Sequence, residues 1–238
     1  MARTVLFFVC FVIALVISAL MLPVWYVLGW LGLSRAQRIW GYHVSRNWAR
    51  FLLLPAGVTF TVRGQENIPC DTAVLFVSNH QGNFDIPVLF AGINRPVGFL
   101  AKIELAKIPV LRTWMPKLGC VFIDRSNLRQ SVKAMQQAVE VLKDGKSMVI
   151  FPEGTRSKGL QMGAFKKGSL RLVEKAGVPI VPVTVNGTFR AMEARNNKIG
   201  PARAVITIGE PIYYDRLTKE EQSNITDIVT QAIARNLE

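Results

Sequence analysis

The stretch AVLFVSNHQGNFDIPVLF, residues 73–90, decides how the chain is read. Its opening, Ala73–Ser78, is a short apolar run bounded by polar residues, as in a strand buried on both faces. It leads directly into Asn79-His80-Gln81-Gly82-Asn83-Phe84-Asp85, after which Ile86-Pro87 opens an apolar helix. Ligands of open α/β sheets gather at the carboxyl ends of strands, so this polar segment lies where a site belongs. Residues five apart on one helix diverge by about 140° around its axis. His80 and Asp85 therefore meet only if His80 stays in the loop and Asp85 starts the helix, with Pro87 in the first turn. A carboxylate bonded to one imidazole nitrogen fixes the tautomer and leaves the other nitrogen free to take a proton. Taken alone, the same spacing also arises from an aspartate capping a helix beside an unrelated histidine.

Outward from this segment, beginning near Val58, short apolar runs alternate with helical stretches. The pattern predicts an α/β fold with a mixed, largely parallel sheet flanked by helices. Strands are expected near Val58–Arg63, Ala73–Ser78, Val97–Ala101, Val121–Asp124, Ser147–Phe151, Ile180–Asn186 and Ala204–Gly209. A helix from Leu128 to Leu142 carries Leu128, Val132, Met135, Val139 and Leu142 at three-to-four-residue spacing, with Gly145 placed for a left-handed cap. A last helix begins at Thr218, where Glu221 completes a capping box, and runs toward Asn236.

Two more polar segments follow expected strands. In Phe151-Pro152-Glu153-Gly154-Thr155-Arg156-Ser157 the proline ends the strand and the glycine permits a sharp turn. Its exposed amides and Arg156 could cradle a phosphate, although a turn with a surface arginine explains the segment taken alone. Gly119-Cys120-Val121-Phe122-Ile123-Asp124-Arg125 sets a second arginine at a strand end, and Lys102 follows Val97–Ala101. Three cations at the ends of different strands could converge on one phosphate.

Toward the amino terminus no charged residue lies between Arg3 and Arg35, and Val5–Leu22 is apolar except for Ser18. That length meets the ~18–20 residues needed to cross a bilayer core, but Pro23 interrupts the run. Beyond it, Ile39, Trp40, Val44, Trp48, Phe51 and Leu52 lie among Arg35, Arg38, Arg46 and Arg50, as suits a helix at headgroup depth. The chain thus divides into residues 1–57, membrane-anchoring helices, and 58–238, a catalytic domain. A cleaved signal peptide is disfavoured, because no small-residue cleavage site follows. A full span and a proline-broken helix pair dipping into one leaflet both satisfy the hydropathy. Cations are more numerous after the run than before it, so the remainder is expected on the cytoplasmic side of the membrane.

The formal net charge of +13 calls for anionic partners. Zinc-finger spacing, RNA-recognition signatures and basic helices with heptads are lacking, so nucleic acid is not expected, whereas a membrane phospholipid surface is. Cys10, Cys70 and Cys120 form no CxxC pair, and a reducing compartment is expected. With only His43 and His80 in the chain, a histidine-rich metal site is excluded and any histidine base is one of the two. His43, among aromatic and basic residues, reads as interfacial, and Cys120 as a packing residue.

Together, N-H-x-x-x-x-D, G-x-x-F-I-D-R, F-P-E-G-T-R-S and the V-P-I-V-P-V stretch at Val178–Val183 resemble the four ordered blocks of the glycerophospholipid acyltransferase family, specifically its lysophosphatidic acid acyltransferases. The resemblance covers about Val58 to Gly209. It implies transfer of a fatty acyl group from acyl-CoA or acyl-acyl carrier protein to the sn-2 hydroxyl of 1-acylglycerol 3-phosphate, without metal or resident cofactor. It further implies that His80 is the general base and Asp85 its orienting partner. Lys102, Arg125 and Arg156 would hold the substrate phosphate, in a pocket shaped by Glu153, Gly154 and Thr155. Acylation of glycerol 3-phosphate or another lysophospholipid is the near alternative. An idle scaffold that binds anionic lipid and a thioester hydrolase are more distant ones.

Overall fold

Three helices precede the first strand in the computed structural model, which describes residues 1–237. They are α1 (Ala2–Leu20), α2 (Leu22–Trp30) and α3 (Ser34–Ala56), and Gly57, at φ 71°, ends α3 in the left-handed conformation. The apolar stretch is therefore two helices meeting at Met21, with Pro23 in the first turn of α2, where its missing N–H costs nothing.

α1 lies along the rest of the protein. Phe7 meets the ring of Phe84, Phe11 that of Trp48, and Ala14 and Ser18 are buried. Near one end the Thr4 hydroxyl accepts from the Ile199 amide at 3.0 Å; near the other the Ser18 carbonyl accepts from the Trp114 indole at 2.7 Å. The opposite face, with Val5, Phe8, Val9, Val12, Ile13, Val16 and Ile17, is apolar and exposed. α3 buries a stripe of small residues, Gly41, Ser45, Ala49 and Ala56, which lets α1, α2 and the helix after the His80 loop approach its backbone closely.

The strands are β1 (Val58–Arg63), β2 (Leu75–Ser78), β3 (Val97–Lys102), β4 (Val121–Ile123), β5 (Ser147–Ile150), β6 (Ile180–Asn186) and β7 (Ala202–Ile208). Their spatial order is β1-β7-β6-β2-β5-β3-β4, with every neighbouring pair parallel except β6 and β7. A parallel return needs a crossover of a dozen or more residues, usually helical. The β6–β7 connection instead holds two short 3-10 turns, Thr188–Ala191 and Glu193–Arg195, so β7 comes back antiparallel.

The other helices are α4 (Asp85–Gly92), α5 (Pro109–Lys117), α6 (Leu128–Lys143), α7 (Arg171–Ala176), α8 (Lys219–Ser223) and α9 (Ile225–Ala234). Two cores form. Phe76, Val149, Val181 and Val183 face α3 and α4, whereas Leu75, Val77, Met148 and Ile150 face α6, α7 and α9. The four residues of β2 are all buried, as its unbroken apolar run requires.

Two helix expectations need correction. In α6 the buried stripe is Ala134, Ala138, Val139 and Leu142, while Leu128 and Val132 are 81% and 51% exposed. The alanines let the helix lie close to the sheet, and its first turn points away from the core. The last helix is broken at Asn224, whose carbonyl accepts from the Asp227 and Ile228 amides as a new helix starts. The break turns Ile225, Val229 and Ile233 into the core and leaves α8, with its Thr218–Glu221 capping box, at the surface.

Candidate active site

Strand order builds the site. β2 has β5 on one side and β6 on the other, all parallel, so the loops leaving their carboxyl ends emerge together. Asn79, the first residue beyond β2, extends the ladder with its side chain: Nδ2 donates to the Val185 carbonyl and Oδ1 accepts from the Val185 amide, both at 2.8 Å. The loop that follows is thereby pinned to β6 before it turns.

His80 lies in that loop and Asp85 is the first residue of α4. His80 Nδ1 is 2.6 Å from Asp85 Oδ2, with the carboxylate fully buried and the imidazole partly open to solvent. Asp85 Oδ2 also accepts from the Gly82 amide at 3.0 Å, and Oδ1 accepts from the Thr188 hydroxyl. Three donors from three places hold the carboxylate, so the imidazole is fixed with Nδ1–H toward Asp85 and Nε2 free. The Phe151 ring stacks on the imidazole at 4.1 Å between centroids and 17° between planes.

The β5 loop locks the other side. Glu153 Oε1 accepts from the His80 amide at 2.6 Å and Oε2 from the Gly163 amide at 2.7 Å. Its carboxylate is thus a buried anchor for the backbone of the histidine loop. Burial raises its pKa above the ordinary value of 4.5, and the hydrogen bonds from His80 and Gly163 offset part of that rise. The His80 carbonyl in turn accepts from the Ser157 amide at 2.8 Å. Gly154, at φ 72°, makes the turn in a conformation open mainly to glycine, and Thr155 is exposed on it.

The three expected cations share this end of the sheet, but each has its own partner. Lys102, 62% exposed, pairs with Glu104 at 2.6 Å. Arg125 donates to the Gly154 carbonyl and so rests on the β5 turn. Burial lowers its pKa, an effect that the nearby Glu104 partly offsets. Arg156 reaches the opposite flank, 3.3 Å from Glu193 Oε1. Just before β4, Cys120 accepts from the Phe99 amide at 3.2 Å, and burial pushes its thiol up to about 12, which disfavours the thiolate that nucleophilic attack needs.

Thr188, Glu193 and Gln81 are the residues that sequence reasoning missed. Glu193 accepts from the Asn83 amide at 2.8 Å as well as from Arg156, which ties Arg156 to the His80 loop. Gln81 Oε1 accepts from the Gly187 amide at 2.8 Å. Apart from the Arg156 pair, 37 residues apart, these contacts span more than a hundred residues and follow from β6 lying beside β2, which no local spacing reveals.

Beside the loop, a cavity of about 370 Å³ runs between α1, α3, α4 and α5. Asn83, Phe84 and Met192 line it near His80, and Phe11, Trp48, Ser18 and Trp114 line it farther along α1. Its volume lies within the range of small-molecule sites, and its walls are almost wholly apolar.

A histidine paired with a buried carboxylate thus lies beside an apolar cavity at the carboxyl end of a mostly parallel sheet. Residues 59–186 match the family model described as Acyltransferase, and the chain belongs to that family. It is 34% identical over 92% of its length to the chloroplastic 1-acyl-sn-glycerol-3-phosphate acyltransferase BAT2 of Brassica napus, and spans 65% of that relative. It is 35% identical over 76% of its length to a probable 1-acyl-sn-glycerol-3-phosphate acyltransferase of Mycoplasma pneumoniae, of which it spans 69%. The crystal structure of the 1-acyl-sn-glycerophosphate acyltransferase PlsC from Thermotoga maritima superposes with a TM-score of 0.78 at 28% identity, covering 99% of this chain and 96% of that one.

Proposed function

We propose that the protein transfers a fatty acyl group from an acyl thioester, acyl-CoA or acyl-acyl carrier protein, to the sn-2 hydroxyl of 1-acylglycerol 3-phosphate, yielding phosphatidic acid. The observation that carries this reading is the His80–Asp85 pair at 2.6 Å, opening beside an apolar cavity. His80 Nε2 takes the proton of the acceptor hydroxyl as its oxygen attacks the thioester carbonyl. The tetrahedral intermediate then collapses, the carbon–sulfur bond breaks, and the imidazolium returns its proton to the departing thiolate. Asp85 holds the tautomer and stabilises the imidazolium. The acceptor supplies its own hydroxyl, so no acyl-enzyme is needed.

Arg125 and Arg156 flank the β5 turn and receive the acceptor phosphate, Lys102 adds a third cation, and Gly154 and Thr155 give the turn its shape. The apolar cavity takes an acyl chain. α1 and α2 seat the protein in one leaflet of the inner membrane, with the catalytic domain on the cytoplasmic side. That arrangement is supported by α1 being fastened to the domain near both ends while its outer face is apolar throughout.

The test is an assay of the purified protein in detergent or lipid with lysophosphatidic acid and each donor in turn, the product identified by mass, together with glycerol 3-phosphate and head-grouped lysophospholipids as acceptors. Phosphatidic acid formed from lysophosphatidic acid in preference to the others is the expected result. Thioester consumption that does not depend on any acceptor would reject the assignment.

A further inference from the structure

At the end of the sheet opposite His80, a second recess of about 110 Å³ opens at the amino-terminal edges of β3 and β5. Arg38, Arg95, Lys117 and Lys146 line it, joined by the Tyr42 and Ser45 side chains of α3. Two carboxylates act on them: Asp144 holds Lys146 at 2.6 Å and lies in the field of Arg38, and Asp71 lies in the field of Arg95. Arg95 is committed to the Pro69 and Thr72 carbonyls, each at 2.8 Å, and holds the wall. Arg38 and Lys117 form no ion pair among the described residues. Arg46, one turn along α3 from Tyr42, is committed through Nη1 to the Tyr42 hydroxyl and to Asn94 Oδ1. Cations gathered this closely repel one another, and an anion in their midst removes that cost.

The surroundings identify the anion. Lys117 Nζ sits 4.5 Å from the centre of the Tyr26 ring on α2, and Tyr26, Val27 and Trp30 are exposed there. Aromatic rings beside cations mark headgroup depth. α1 is 19 residues long, hence roughly 28 Å, and its outer face is apolar along its length. A helix lying on lipid in that way brings both ends of the sheet to the membrane surface. We propose that this recess binds the phosphate of an anionic phospholipid headgroup, as a second lipid site separated from the catalytic end by about 16 Å of β3. The proposal rests on the one-leaflet seating inferred above; it gives the enzyme a grip on anionic membrane that is independent of substrate.

Flotation with vesicles of phosphatidylcholine alone, and with phosphatidylglycerol added, tests both points using the full chain. The gain in binding produced by phosphatidylglycerol should fall more than about tenfold in Arg38→Gln/Lys117→Gln, because each cation gives up a charge-assisted hydrogen bond to the phosphate. Lys146→Gln, which leaves the Tyr26 contact alone, removes one such bond and should lose about fivefold. Arg35→Gln/Arg50→Gln removes the same charge from α3 outside the recess and should lose markedly less. Equal losses in the two double variants would mean diffuse attraction and overturn the site, as would an undiminished gain in all the recess variants. A wild type that ignores phosphatidylcholine vesicles would overturn the seating and this site with it. Retained binding to phosphatidylcholine with no anionic gain would overturn the recess alone.

Discussion

Replacing Gly82 with alanine should disable the enzyme without unfolding it, and the reason can be worked from distances. Gly82 lies outside the left-handed region, so alanine brings no backbone strain. Its Cβ would nevertheless come within 2.4 Å of Glu193 Oε2 and 2.8 Å of the carboxyl carbon. Restoring an ordinary contact of ~3.5 Å requires the carboxylate to retreat by roughly 1 Å. The Glu193 side chain is only 2% exposed and holds the Asn83 amide at 2.8 Å and Arg156 at 3.3 Å, so a retreat of that size costs one or both contacts. Hydrogen bonds to charged groups contribute about 1.5–3 kcal/mol, which corresponds to roughly a 10- to 100-fold fall in kcat/KM. Steady-state kinetics with lysophosphatidic acid as the varied substrate would measure it, with the melting temperature as the check on folding. Glu193→Ala removes the obstacle, so Gly82→Ala should add little in that background. Wild-type kcat/KM in Gly82→Ala, or two losses that simply multiply in the double variant, would refute the reasoning.

Further outcomes follow from the same geometry. Thr188→Val keeps the side-chain volume but deletes the hydrogen bond to Asp85 Oδ1, and kcat at saturating substrate should fall about tenfold. Because the Glu153 pKa is raised in the folded state, the native protein keeps that proton to higher pH than the unfolded chain. The stability of wild type relative to Glu153→Gln should therefore be greatest below pH 4.5 and decline as pH rises through the folded-state pKa, as denaturant titrations across that range would read. Ser18→Leu enlarges a side chain about 16 Å along α1 from Phe7, at the cavity end away from the loop, and should shift the product mass spectrum toward shorter acyl chains. An unchanged chain-length distribution would show that the acyl chain takes another path.

The central apolar run, the loop placement of His80 and the start of α4 at Asp85 were legible because they depend on neighbours in sequence: a buried strand, a polar turn, a proline in the first helical turn. All seven expected strands have counterparts with only small shifts at their ends. What stayed hidden depends on packing. The alanine face of α6 was invisible to a search for large apolar residues, and the break at Asn224 arises because Ile225, Val229 and Ile233 must reach the core. Thr188 and Glu193 could not be found from spacing, since they reach the His80 loop only because β6 lies beside β2. The cations were legible as residues at strand ends, but their present partners, Glu104, the Gly154 carbonyl and Glu193, were not.

The most direct measurement is the single-turnover rate of acyl transfer to lysophosphatidic acid by His80→Ala, with melting temperature and acceptor binding measured on the same sample. With fold and binding intact, the rate should fall by ~10²–10⁴, as expected for loss of a positioned base. A rate within a few-fold of wild type would contradict the assignment of His80 as that base.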